Sequence, residues 1–240
     1  MTYPFVICVA TNSSFRISSF LKSINQTVDR NEIFLVIVDT GKDQIDQSLL
    51  GSIDMGYHYQ WVPQQERILY AEVMRLKIEA SSLFCDDSTI FWNSDDDYVF
   101  NPYWYKVTKT LFENHNEISY LSLLKVSRTI EEFPNTYSNF SLIRAYSCMG
   151  GAFCAKYSEF YPIITDYFKW HGTNNMFDQN FWVFLGQTVG RKDNIFVIQN
   201  FSLIQQCNLI SSYLNMKGSK LEHQYGIDFE PVGNPFIIVG

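Results

Sequence analysis

Three consecutive aspartates, Asp95, Asp96 and Asp97, are the residues of this chain best suited to chemistry. They follow the apolar residues 89–92 and precede Pro102, which predicts that this acidic run (residues 95–97) ends a buried strand. Side chains alternate along an extended chain, so Asp95 and Asp97 are predicted to face one side and Asp96 the other. Adjacent carboxylates repel one another unless a cation offsets their charge, and hard oxygen ligands suit Mg²⁺ or Mn²⁺. The pattern therefore favours a metal site beside a phosphate-bearing ligand, with a solvated acidic turn as the alternative.

The composition indicates one globular domain. The chain has 240 residues, of which 46% are hydrophobic and 18% charged, enough for a single substantial core. Its aromatic content of 17% favours an aromatic-rich core, with a groove that stacks on sugar rings as the alternative for some rings. The net charge of -7 disfavours a nucleic-acid partner and supplies no polybasic membrane anchor.

The cysteines and the apolar runs indicate the cellular compartment in which the protein is expected. The five cysteines are odd in number and form no CxxC pair, which favours a reducing compartment over a zinc cage or a disulfide framework. The N-terminus lacks a signal-peptide pattern, and no apolar run approaches about 18 residues. We therefore expect a soluble, cytoplasmic protein without an integral membrane segment. The oligomeric state is not indicated.

The first half of the chain alternates strand and helix patterns. Apolar runs predict buried strands, and apolar residues at helical spacing predict helices. The predicted strands are 5–10, 33–38 and 57–62, and the predicted helices are 15–24 and 68–84. This order is typical of an α/β protein with a mostly parallel sheet, in which ligands bind beyond the carboxyl ends of the strands. Thr11, Asp39 and the acidic run all fall at such ends, which predicts a single cleft.

The second half is less regular. A helix is predicted at 103–113, a strand at 118–126, a polar loop at 133–141, and helices at 158–168 and from 178, with a loop at 170–176 between them. Gly150 and Gly151 permit a close backbone approach to a ligand, or a bulged strand. No repeat or linker marks a boundary, so residues 1–240 are predicted to form one domain.

Taken together, these segments resemble the glycosyltransferases of the GT-A fold, and most of all the inverting family 2 type, over residues 4–185. The segments that carry the resemblance are 9–12, 38–39, 91–97 with Pro102, 150–152 and 177–182. The resemblance implies a single Rossmann-like GT-A domain with a mostly parallel central sheet flanked by helices. It further implies a nucleotide- and metal-binding half at 1–102 and an acceptor-binding half at 103–240.

On the donor side, the resemblance implies roles for individual residues. The positions that match the nucleotide contacts of the family are Thr11, Asn12 and Asp39. Asp97 matches the acid that binds Mn²⁺ or Mg²⁺ on the diphosphate, and Asp95 and Asp96 are expected to hold ribose, donor sugar or metal waters. The earlier acid often seen in the family is replaced by Asn93, so Asp95 is the alternative metal ligand. From its position on the helix before the acidic run, Arg75 is expected near the diphosphate.

On the acceptor side, Asp178 matches the general base of the family, and Gly150 and Gly151 match the segment beneath the two sugars. Asp178 has an alternative reading as the N-cap of its helix. Trp170 and His171 are candidates for an acceptor platform, with an exposed loop as the alternative.

Three further residues bear on the donor site or on the family pattern. Lys77, like Arg75, is a candidate for the diphosphate, with an exposed basic residue that has no such role as the alternative for both. His223 resembles a C-terminal histidine that completes the metal shell in some relatives. Gln206 stands where some N-acetylglucosaminyltransferases have a histidine, which is a departure from their pattern.

The sequence thus predicts a metal-dependent, inverting hexosyl- or pentosyltransferase of the kind used in polysaccharide biosynthesis. It would move a sugar from a nucleotide-diphosphate donor, by default a UDP-sugar, to a hydroxyl of a glycan or another acceptor. One alternative is a nucleotidyltransferase, although residues 11–16 are not the Gly-rich basic loop common in those enzymes. The other is a carbohydrate- or nucleotide-binding module without turnover, in which Asp178 would be dispensable.

Overall fold

A computed structural model describes most of the first 206 residues of the chain. The described residues are 1–25, 30–40, 58–64, 68–122, 129–133, 141–145, 148, 151–173, 177–188, 195–199 and 204–206.

Strands and helices alternate through the first half of the chain, as the sequence predicts. The strands are β1 (Phe5–Thr11), β2 (Ile33–Asp39), β3 (His58–Pro63), β4 (Ile90–Asp95), β5 (Tyr98–Phe100), β6 (Tyr120–Ser122), β7 (Thr129–Phe133), β8 (Ser141–Ala145), β9 (Ala152–Lys156), β10 (Ile195–Gln199) and β11 (Ile204–Gln206). The α-helices of the described residues are α1 (Ser14–Asn25), α2 (Tyr70–Ser81), α3 (Trp104–Asn114), α4 (Tyr157–His171) and α5 (Phe177–Thr188), and a 3-10 turn spans Arg30–Glu32.

A nine-stranded sheet organises these elements, in the order β3-β2-β1-β4-β9-β6-β10-β8-β7. The neighbours β3, β2, β1 and β4 are all parallel. Strand β9 is antiparallel to both β4 and β6, and β8 is antiparallel to both β10 and β7. Among the described strands of this sheet, only β8 and β9 are therefore antiparallel to β1. The prediction of an α/β fold with a mostly parallel sheet flanked by helices is confirmed.

Both faces of the sheet are buried, which explains why its central strands are continuous apolar runs. Phe5, Ile7 and Val9 of β1 pack in one cluster with α1 and α3, and Val6 and Cys8 pack on the other face with α2, α4 and α5. Each large apolar side chain buried in this way stabilises the fold by about 1.5–3 kcal/mol.

Aromatic rings fill much of this core. Phe153 of β9 meets Trp182 edge to face at 5.5 Å between ring centroids, and Trp92 meets Trp104 in the same manner at 4.6 Å. Edge-to-face pairs of this kind add to the stabilisation that burial alone provides. For the described rings, the aromatic-rich core expected from the composition is present.

Helix α4 is longer than predicted. Its last turn contains Trp170 and His171, which the sequence placed in a loop. After Pro162 the helix contains no further proline and no glycine until Gly172, whose φ of 62° ends it while its N–H donates to the Phe168 carbonyl at 2.9 Å. The loop prediction was therefore wrong for these two residues.

Other boundaries differ less or lie outside the described residues. Helix α2 covers residues 70–81 of the predicted 68–84. Strand β6 begins at Tyr120, two residues later than predicted, and residues 123–126 lie outside the described part of the chain. Of the predicted loop at 133–141, Phe133 ends β7 and Ser141 begins β8, and the residues between them are likewise outside it. None of the described helices combines the length and apolar character needed to cross a bilayer.

Candidate functional site

The carboxyl ends of three parallel strands meet at one edge of the sheet. Thr11 at the end of β1 lies opposite Asp39 at the end of β2. On the other side of β1, Ala10 lies opposite Asp95 at the end of β4. The expectation that Thr11, Asp39 and the acidic run share one edge is therefore confirmed.

Asp96 is bound by protein groups from the first strand and helix. The Thr11 hydroxyl donates to Asp96 Oδ2 at 2.7 Å, and Arg16 Nε lies 3.1 Å from Oδ1 and 3.2 Å from Oδ2. The Arg16 guanidinium also donates to Asn12 Oδ1. Asp96 is 6% exposed. Its carboxylate therefore joins the end of β4 to α1 and holds Thr11 and Arg16 in place.

Burial raises the pKa of the Asp96 carboxyl above its usual range. The positive charge of Arg16 and the hydrogen bond from Thr11 oppose this effect, and the neighbouring charge of Asp97 adds to it. Water is largely excluded here, so this acid depends on two protein partners for its solvation.

Asp95 lies directly against the backbone of Gly151. The Asp95 N–H donates to the Gly151 carbonyl at 3.0 Å. A Cβ atom placed on Gly151 would lie 2.0 Å from Asp95 Oδ2, far inside van der Waals contact. Only glycine leaves room for this carboxylate, so the close backbone approach predicted here is made to a side chain of the protein itself. Gly150 lies outside the described residues.

Asp97 is half-buried in the turn between β4 and β5. Strand β5 pairs with β11, and this pairing sets Gln206 opposite Tyr98, the residue after Asp97. Gln206, which stands where some N-acetylglucosaminyltransferases have a histidine, therefore lies on the strand beside the end of the acidic run. His223 lies outside the described residues.

Of the three aspartates, Asp95 and Asp97 are the ones suited to bind a divalent cation, because the Asp96 carboxylate is already bonded to Thr11 and Arg16. Mg²⁺ usually takes one or two protein carboxylates and completes its shell with water and phosphate oxygens, so two acids at a strand end suit it. No group of three or more acids, histidines or cysteines within the described ranges is arranged to hold a metal by itself. Substrate oxygens would have to complete the shell.

Lys77 is not an exposed basic residue, and that alternative was wrong. It is fully buried, and its ammonium donates to Asn93 Oδ1 at 2.7 Å and to the Ser94 carbonyl at 2.9 Å. The amide of Asn93 in turn donates to the Tyr70 hydroxyl at 3.2 Å. Lys77 therefore contacts the two residues that immediately precede the acidic run.

Arg75 pairs with two acids of its own helix. Its guanidinium pairs with Glu72 and Glu79, three residues before it and four after it, and its side chain is 35% exposed. The hydrogen bond to Glu72 raises the pKa of Arg75 further above its already high value. Glu72 also hydrogen-bonds to Thr173, between α4 and α5. The expected contact of Arg75 with a diphosphate stays a prediction.

Asp178 is the second residue of α5, which begins at Phe177, so it does not occupy the N-cap position. Its side chain lies outside what the structure describes, and its role as a base stays a prediction. Trp170 is 74% exposed at the end of α4. His171 stacks on the Tyr167 ring at 4.9 Å between centroids, so it is fixed in orientation.

Arg16 and the contacts of Lys77 were missed by sequence reasoning. Arg16 lies in the first turn of α1, from which its side chain reaches back over the end of β1. The sequence does contain a signal for the burial of Lys77. Met74 lies three residues before it and Ser81 four residues after it, and Ile78 is four residues from Met74 and three from Ser81. This is the spacing of one buried helix face.

No family model matches the sequence, and no match to it was found among curated proteins. Solved structures do share its fold. S. aureus TarS 1-349 superposes with a TM-score of 0.62 at 14% identity, over 86% of this chain and 60% of that one. The fold is GT-A. In complex with UDP-GlcNAc, the same TarS fragment gives a TM-score of 0.62 at 14% identity over 90% of this chain. In complex with UDP, it gives 0.57 at 14% identity over 85%.

This GT-A chain spans about 60% of the length of the TarS fragment it matches. At 14% identity the likeness establishes the fold of the chain and leaves its chemistry to the residues of the site.

Proposed function

We propose that this protein is a glycosyltransferase, related to the inverting family 2 type, that uses a nucleotide-diphosphate sugar as its donor. The observation that carries the proposal is the acidic run at the shared carboxyl ends of β1, β2 and β4, with Asp95 against Gly151 and Asp96 bonded to Thr11. Ligands of parallel α/β sheets bind at such an edge. A GT-A fold similar to that of TarS, which was solved with UDP-GlcNAc, supports a UDP-sugar as the favoured donor.

The donor half of the proposed site uses the edge of the sheet. Thr11, Asn12 and Asp39 would contact the nucleotide, with Arg75 near the diphosphate. Asp97 and Asp95 would hold Mn²⁺ or Mg²⁺, which stabilises the negative charge that develops on the leaving diphosphate. Asp96 would act by keeping Thr11 and Arg16 in position, since its own oxygens are already engaged.

The acceptor half would use residues that directly precede β9, the last turn of α4 and the start of α5. Gly150 and Gly151 would lie beneath the sugars, and Trp170 and His171 would flank the acceptor. An acceptor hydroxyl is a weak nucleophile near neutral pH, so a carboxylate within hydrogen-bond reach accelerates its attack by accepting its proton. We assign this role to Asp178. The hydroxyl oxygen then bonds to the anomeric carbon as the bond to the diphosphate breaks on the opposite face, which inverts the configuration.

The substitution Asp178→Asn tests this assignment. It keeps the size of the side chain but removes its ability to take a proton, so turnover should fall by about 10²-fold or more while donor affinity is unchanged. Release of UDP from a UDP-sugar measures turnover, and calorimetry measures donor binding. Asp166→Asn, an exposed acid of α4, is the matched control and should retain wild-type turnover.

Normal turnover in Asp178→Asn would remove this residue from the mechanism. NMR of the first product formed should also show the anomeric configuration opposite to that of the donor. Donor binding without turnover for any acceptor would instead indicate a binding module, and release of pyrophosphate from a nucleoside triphosphate would indicate a nucleotidyltransferase.

A further inference from the structure

We infer that Lys77 is a positioning residue of this site, and that its buried ammonium fixes the end of β4, where Asp95 lies and from which the chain turns into Asp97. The inference rests on the proposed function for its catalytic meaning. Its physical content, an anchored strand end, can be measured by itself.

The burial of Lys77 requires specific partners. A lysine ammonium loses a large hydration free energy when it leaves water, so such groups are rarely fully buried without hydrogen bonds. Lys77 is 0% exposed, and its Nζ donates to Asn93 Oδ1 at 2.7 Å and to the Ser94 carbonyl at 2.9 Å. Hydrogen bonds from a charged donor are stronger than neutral ones, so α2 is held firmly to β4 at this point.

The Ser94 carbonyl belongs to the peptide unit that leads directly into Asp95. Bonding to this oxygen restricts the rotation of that peptide, and therefore the direction in which the Asp95 side chain leaves the strand. From the other side, the Asp95 N–H donates to the Gly151 carbonyl at 3.0 Å. The start of the acidic run is thus held between α2 and the residue that precedes β9.

Asn93 and Tyr70 extend this anchor to a second part of the site. The Asn93 amide donates to the Tyr70 hydroxyl at 3.2 Å, and the Lys77 ammonium lies 5.9 Å from the centre of the Tyr70 ring. The Tyr70 ring is 6.0 Å from the ring of Phe177, which directly precedes Asp178. The buried Lys77 and Asn93, together with the partly buried Tyr70, therefore link the strand of the acidic run to the helix of the proposed base.

The substitution Lys77→Met tests the inference, because methionine fills similar space without donating a hydrogen bond. We expect amide hydrogen exchange, measured by mass spectrometry, to accelerate across residues 93–97. The dissociation constant for UDP-GlcNAc with Mn²⁺, measured by calorimetry, should rise by about tenfold or more. Ser81→Ala is the matched control: it removes a buried hydrogen bond to the Ile78 carbonyl on the same helix and should change neither reading.

Tyr70→Phe is a second, milder variant in case Lys77→Met does not fold. It removes only the hydroxyl that accepts from Asn93, so exchange at 93–97 should accelerate to a smaller degree. Unchanged exchange in the folded variants overturns the inference, as does faster exchange with an unchanged dissociation constant. A wild-type protein that binds no nucleotide sugar refutes the proposed function instead, and the exchange of residues 93–97 then decides by itself whether Lys77 fixes the strand end.

Discussion

Three adjacent aspartates occupy three different environments in this protein. Asp95 lies against a glycine backbone, Asp96 is buried beneath Arg16 and Thr11, and Asp97 is half-buried in a turn. Their shared chemistry predicts a cation site, but the contacts of each carboxylate decide which of them can contribute to it. The alternation of faces was predicted for an extended chain through Asp97, but β4 ends at Asp95 and residues 96–97 form a turn, so that prediction was wrong beyond Asp95.

The buried carboxyl of Asp96 makes a pH-dependent contribution to stability. Burial raises its pKa in the folded protein, so the folded state binds this proton more tightly than the unfolded state does. Stability then falls as the pH rises from the unfolded value, about 3.9, through the raised folded value. We expect the free energy of unfolding of wild type minus that of Asp96→Asn to decrease as the pH rises through this window.

Urea unfolding of the two proteins at a series of pH values from acidic to neutral measures this difference. A difference that grows with pH would mean that the ion pair with Arg16 outweighs burial and that the pKa of Asp96 is lowered.

Residue type and local spacing could not predict these partners. The bonds from Thr11 and Arg16 to Asp96 span 85 and 80 residues of sequence. Lys77 shows a different limitation: a lysine on a helix is usually exposed, and tertiary packing of α2 against β4 reversed that preference.

At the scale of elements, the site is built from strand ends and the close approach of β9 to β4. Gly151 precedes β9 and gives the Asp95 carboxylate its space. The strands β1, β2 and β4 could be predicted because buried parallel strands are continuous apolar runs. The antiparallel insertion of β9 beside β4 could not, since the paired residues are 58 to 66 positions apart in the sequence, from Ser94 with Ala152 to Ile90 with Lys156.

Gly151→Ala should displace Asp95 without unfolding the protein. The clashing atoms belong to the end of a side chain that can rotate away, so the free energy of unfolding should change by about 1 kcal/mol or less. Rotation removes one proposed metal ligand, so the dissociation constant for a UDP-sugar with Mn²⁺ should rise by about tenfold or more. Calorimetry measures the binding, and urea unfolding measures the stability.

Gly172→Ala is the matched control for that experiment. A Cβ atom at Gly172 meets no neighbour within 4 Å, but its φ of 62° is unfavourable for alanine, so stability should fall by about 1–2 kcal/mol. Donor affinity should be unchanged. If Gly151→Ala kept wild-type donor affinity, Asp95 would have no part in holding the donor.

At the scale of the whole molecule, the sheet separates two apolar layers, and the candidate site occupies its edge. The GT-A fold was predictable from the order of elements and from the resemblance of short motifs, and the TarS superposition supports it across most of the chain.

Buried thiols report the integrity of this two-layer core. Cys8, Cys148 and Cys154 are free and buried, and burial raises the pKa of Cys8 to about 12. Because the thiolate is the reactive form, we expect iodoacetamide at pH 8 to leave these three cysteines unmodified in the native protein and to modify them rapidly in urea. Peptide mass spectrometry identifies the modified residues. Rapid native modification of Cys8 would show that the layer around β1 opens readily.

We propose a metal-dependent nucleotide-sugar site at the carboxyl edge of the sheet. The thermal stability of the purified protein with UDP-, GDP-, dTDP- and CMP-sugars, each with Mn²⁺ and with EDTA, tests for this site. A ligand that binds only the native state raises the melting temperature in relation to its concentration and dissociation constant. We expect the melting temperature to rise for one nucleotide class, with UDP-sugars favoured, and this rise to require Mn²⁺ and to be lost in Asp97→Asn. If no sugar nucleotide raised the melting temperature with Mn²⁺, or if the rise were equal in EDTA and in Asp97→Asn, the protein would have no such metal-dependent site.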